Sequence, residues 1–185
     1  MKTAILLPYK ENYTKKFAGA ASLWVKDYNE YSVTSKDLLI YGNLNSNSKP
    51  LSKNFINIEI KTKLFSKTKE YTNNFLKLIS KNNPCIIEVH NRPESAHIIL
   101  KAETKSKLIL VFHNNPLELS GSKSIKDRLI LLNKCYKIFF VSNWVKKQFF
   151  KNLTFDNKNN CEIIHPWTTQ LKKFPKKKKY YFILG

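Results

Sequence analysis

What most constrains this chain is a recurrence. Seven apolar runs, each five to seven residues long, alternate with segments of helical periodicity, at 4–8, 37–42, 56–60, 85–90, 107–113, 137–142 and 161–166. Several runs are apolar at both odd and even positions, so neither side of the strand can face water. That is the signature of parallel strands covered on both faces by crossover helices. The intervening segments fit the helices. Residues 19–31 follow the first run, and 68–81 put Tyr71, Phe75, Leu78 and Ile79 on one face. Pro93 and Glu94 suit the first turn of a helix running through Ile99. Ser124 and Asp127 have the spacing of a capping box ahead of Ile125, Leu129 and Leu132, and 142–153 place Val145, Phe149 and Leu153 one turn apart. The expected fold is α/β, a Rossmann-like, mostly parallel sheet with helices on both faces.

A 42% apolar fraction over 185 residues supports one well-buried domain. That domain is expected over 1–168. Residues 169–179, polar, basic and containing Pro175, read as a linker, and 180–185 (YYFILG) read as the first strand of a second, missing C-terminal domain.

The net charge of +20, from 33 Lys plus Arg against 13 Asp plus Glu, favours anionic partners. Only Arg92 and Arg128 are arginines, and the lysines are scattered. Specific nucleic-acid readers rely on clustered arginine forks, so no specific nucleic-acid partner is expected. Cys85, Cys135 and Cys161 are too few and too far apart for a zinc ribbon or a disulfide framework, and are expected to be buried in a reducing compartment. No run has the length of a membrane span, and the first residues lack a signal peptide's apolar core, so a cytoplasmic location is expected.

Two runs end alike, in His90-Asn91-Arg92-Pro93 and His113-Asn114-Asn115-Pro116. In an open parallel sheet, ligands bind beyond the carboxyl ends of the strands, where strand order reverses. Both imidazoles are therefore expected on one rim. Gly19, between the first strand and first helix, suits close approach of backbone N–H groups to a phosphate. Arg92 offers a fork for an anionic or hydroxyl-rich ligand. Ser142, at the exit of another run, caps a helix and borders the same crevice. His97 and His165 carry no expected role in the site. The glycine spacings of a dinucleotide fold or a P-loop are absent, as is any metal-ligand spacing.

Taken in order, ILLP, the loop at Gly19, EVHNRPE, LVFHN, IFFVSNWVKKQF and IIHPW resemble the N-terminal domain of family 4 (group 1) glycosyltransferases, of the GT-B architecture. The resemblance implies sugar transfer from a nucleotide diphosphate sugar to an acceptor hydroxyl, with retention and without a bound metal or other cofactor. It implies that His113 lies near the transferred sugar as the catalytic residue and that Gly19 approaches the donor diphosphate. On this reading His90, Asn91, Arg92, Asn114 and Ser142 bind substrate, with His90 and Arg92 on the acceptor side. It further implies an envelope glycan or lipid-linked acceptor, peripheral contact with anionic membrane, and no turnover by this half alone. The chain departs from the family in having Ala18-Gly19 for two adjacent glycines, and HPWTT for the usual Asn-Gly-Val-Asp. Two other readings compete: a basic non-enzymatic module binding anionic lipid or RNA, and a GT-B-like nucleotide-sugar epimerase or hydrolase half.

Overall fold

In a computed structural model, described for residues 2–44, 48–61, 66–154 and 159–165, all seven expected strands form and join one sheet. They are β1 (Thr3–Leu6), β2 (Leu38–Gly42), β3 (Phe55–Asn57), β4 (Ile86–His90), β5 (Lys107–Phe112), β6 (Lys137–Phe140) and β7 (Cys161–Ile163). Every pairing is parallel, in the order β3-β2-β1-β4-β5-β6-β7. The chain winds outward from β1 in one direction and from β4 in the other, so the order reverses between these two neighbours. The expected linker at 169–179 and final strand at 180–185 lie outside the described residues.

Among the described residues there are five α-helices: α1 (Ala20–Tyr31), α2 (Lys67–Ile79), α3 (Pro93–Lys101), α4 (Ile125–Lys134) and α5 (Asn143–Phe150). They cover both faces, in unequal number. Buried residues of α2, α3, α4 and α5 share one core with Leu6, Val89, Leu110 and Phe140 of the strands. Phe112, Phe140 and Phe149 stack at its heart, with ring centroids 5.3 to 5.7 Å apart. On the other face, among the described residues, α1 packs Trp24 and Val25 against Ile5, Ile40 and Val111. The central strands therefore bury residues on both faces, which is why several runs are apolar at both parities.

The helix signals act as their chemistry dictates. Ser124 accepts from the backbone of Asp127 at 3.0 Å, Ser142 from Val145 at 3.2 Å, and Pro93 opens α3 where no N–H is needed. Arg128, 2% exposed, donates to the carbonyls of Phe149 and Lys151 and so closes the carboxyl end of α5. One expectation needs correction: Cys135 and Cys161 are buried, but Cys85 is exposed, at the edge position just before β4 where its backbone still bonds to Lys2 and Lys107.

Candidate functional site

The exits of β1, β4 and β5 meet at the reversal point, and side chains from the covering helices hold them. The Tyr71 phenol on α2 donates to the Leu7 carbonyl at 2.9 Å. Burial pushes this phenol's pKa up, so it remains a donor. It sets the path of the chain from β1 into Pro8 and Tyr9.

At the next exit Asn91 has a left-handed backbone, φ +52°, which asparagine tolerates better than most residues. That turn buries its side chain, and Oδ1 accepts from the backbone of His113 at 3.3 Å and of Asn114 at 3.2 Å. Asn91 therefore straps the β5 exit to the β4 exit. The matched letters do unlike work. Asn114 is exposed, and it is Asn115 that caps the short 3-10 turn Pro116–Glu118 by accepting from Leu117. That turn leads to Gly121, whose segment is tied back to α3 by the Glu94 N–H donating to Ser120.

The strap brings the two imidazoles into contact. Nδ1 of His90 lies 2.9 Å from Nε2 of His113, and Nε2 of His90 lies 2.6 Å from Oε1 of Glu88. The indole of Trp24, from α1, sets its edge toward both rings, at centroid distances of 5.0 and 5.3 Å. His90 is 0% exposed, with both nitrogens engaged, so it reaches a ligand only through His113. His113 is partly exposed, and burial together with the neighbouring His90 lowers its pKa to about 3. It is neutral at physiological pH. Of the two facing nitrogens one donates its hydrogen and the other accepts through its lone pair.

Gly19 caps the amino end of α1, five residues before Trp24, and so belongs to the same rim. The anion position beside it is taken by a carboxylate of the chain itself. Oε2 of Glu11 accepts from the backbone N–H and from the hydroxyl of Ser22, each at 3.0 Å. A Cβ on residue 19 would lie 2.4 Å from the Glu11 carboxyl carbon, so glycine makes the room. Sequence reasoning missed Glu11 and Glu88. A carboxylate inside an otherwise apolar strand was the available signal for Glu88, whereas nothing in the sequence pairs Glu11 with α1.

Arg92 packs on Tyr9. Its guanidinium lies 5.5 Å from the Tyr9 ring centre and donates to the Asn91 carbonyl, beside a cavity of about 230 Å³ that Tyr9, Lys10 and Glu94 also line. Ser142 is half-buried at the β6 exit, its oxygen used by α5. His97 bonds to the Gly121 carbonyl at 2.8 Å, and His165 is exposed after β7.

The fold and rim define a Rossmann-like, doubly wound α/β domain whose candidate crevice lies at the switch point. No family model and no curated protein matches the sequence. Solved structures do match in fold. Alr3699/HepE from Anabaena, in complex with UDP, superposes with a TM-score of 0.60 at 12% identity, over 90% of this chain and 44% of HepE. HepE with UDP-glucose gives 0.58 at the same identity and coverage. The chain thus spans less than half the length of these neighbours, and the likeness is one of fold.

Among the described residues no helix is long and apolar enough to cross a membrane.

Proposed function

We propose that this chain is the histidine-bearing half of a GT-B nucleotide-sugar enzyme, and that the enzyme transfers a sugar from a nucleotide diphosphate sugar to an acceptor hydroxyl. The observation that carries the reading is the pairing of His90 with His113 at 2.9 Å, at the reversal point of the sheet. A fold shared with a protein solved with UDP-glucose supports the nucleotide-sugar class. His113 faces the sugar, Asn114 and Ser142 border it, and Arg92 over Tyr9 serves the acceptor side. The donor diphosphate approaches α1 near Gly19. The chemistry needs orientation and stabilisation of the leaving diphosphate, which this reading assigns to backbone groups and the second half of the enzyme, with retention and without a metal.

The acceptor is proposed to be a glycan on a lipid or envelope carrier. Lys69 and Lys77 of α2 and Lys147 and Trp144 of α5 are exposed on helices of the same layer, and this supports contact with anionic membrane.

The test is an NMR titration of the labelled chain with UDP-glucose. Shifts are expected at His113, Asn114, the Trp24 indole and Gly19; a rim that stays silent while other surfaces respond refutes the reading. Release of UDP without an acceptor would point instead to an epimerase or hydrolase. Binding to anionic vesicles that is unaffected by His113→Ala, together with no response to UDP-glucose, would point to a lipid-binding module.

A further inference from the structure

Glu88 is a carboxylate inside a parallel strand, 9% exposed and on the same face of β4 as His90. A charge so placed is costly unless paired. Its partner is Nε2 of His90 at 2.6 Å, and since a carboxylate only accepts, the hydrogen of that bond belongs to the imidazole. Nδ1 of a neutral His90 is then an acceptor, and the group facing it at 2.9 Å is Nε2 of His113. His113 supplies that hydrogen, which leaves a lone pair on its Nδ1. Among the described residues no bond to Nδ1 of His113 is found, and the residue is partly exposed at the rim.

We propose that Glu88, His90 and His113 form a proton relay, in which His113 takes a proton from a sugar hydroxyl at the rim and delivers charge to the buried His90–Glu88 pair. This rests on the reading that a sugar ligand binds there. The O–H bond of the ligand breaks and an N–H bond forms at Nδ1 of His113. The N–H bond at Nε2 of His113 breaks as one forms at Nδ1 of His90. His113 ends neutral with its tautomer exchanged, His90 ends as an imidazolium beside Glu88, and the ligand oxygen keeps the electron pair. The relay meets a difficulty that His113 alone would face. Burial and His90 lower its pKa to about 3, so it cannot itself hold a proton at neutral pH. The Glu88 carboxylate, 2.6 Å from Nε2 of His90, is placed to balance the charge that the second ring receives.

The surroundings suit the role. From α1, Trp24 presents ring edges, and the titratable group near Glu88 is the Tyr28 phenol, raised by burial and by the Glu88 charge. Arg92 is turned toward Tyr9.

The experiment is NMR of the chain labelled with ¹⁵N-histidine, read by tautomer and by scalar coupling across the hydrogen bond. At neutral pH both rings are expected as Nε2–H, with coupling between Nε2 of His113 and Nδ1 of His90. On acidification His113 is expected to exchange to Nδ1–H while remaining singly protonated. In Glu88→Gln, which keeps the shape and removes the charge, the exchange should need about tenfold or more proton activity, reflecting one lost charge-assisted partner. Nδ1–H on His113 at neutral pH, double protonation of His113 before any exchange, or a Gln variant identical to wild type would each overturn the relay. Should the variant fail to fold, the wild-type tautomers and coupling decide alone. UDP-glucose titration is read separately: silence of the rim, with the tautomers as expected, removes the ligand reading and leaves the hydrogen-bonded trio standing.

Discussion

The carboxylate of Glu11 occupies the amino end of α1, accepting from both the backbone N–H and the hydroxyl of Ser22 at 3.0 Å. A helix amino terminus attracts any anion, and here a side chain already holds the place where the proposed reading brings a diphosphate. Glu11→Gln keeps the length and removes the like charge. It is expected to tighten UDP binding about threefold or more while costing about 0.5–1 kcal/mol of stability. Calorimetric titration with UDP and urea denaturation check the two halves; unchanged or weaker UDP binding would place the diphosphate elsewhere.

His113→Ala removes the ring that faces the rim while leaving the strap from Asn91, which uses backbone N–H groups. In a full-length enzyme carrying both halves, the kcat for sugar transfer is expected to fall about 10²-fold or more, in the range of a lost proton-transfer group. Steady-state kinetics check this, and wild-type turnover would refute the role.

Gly121 has φ +88°, and a Cβ there would lie 2.5 Å from the backbone nitrogen of Glu94, which cannot move aside. Gly121→Ala should cost about 2–3 kcal/mol, from the strained backbone and from parting the two strand exits. At Gly19 the obstructing atoms belong to the flexible end of Glu11, so Gly19→Ala should cost less, about 0.5–1 kcal/mol. Urea midpoints of the two variants test the order.

Arg128→Met should destabilise by about 2–3 kcal/mol, because the carbonyls of Phe149 and Lys151 lose a charged donor in a site closed to water. Thermal unfolding measures it, and a change below about 0.5 kcal/mol would show that water replaces the guanidinium.

Burial raises the pKa of the Cys135 thiol to about 12, and Cys161 beside it is also buried, whereas Cys85 is exposed. At pH 8 a disulfide reagent should modify one thiol in the native protein and all three after denaturation. A Cys85→Ser variant should show none in the native state.

The order and type of the described strands and helices were legible in the sequence because burial on two faces favours apolar residues at both parities, and because Ser124, Ser142 and Pro93 act on neighbours within one turn. The shared position of the two His-Asn exits was legible for the same reason: in a parallel sheet all strand ends of one sense lie on one rim. Contacts between residues distant along the chain were not. Glu11 at α1, Arg128 at the end of α5, and Asn91 bracing His113 each depend on loops whose path follows from the whole packed fold. Tertiary structure alone decided that His90 is buried and His113 partly exposed, because which imidazole meets water depends on where Trp24 and Glu88 close over the strand ends.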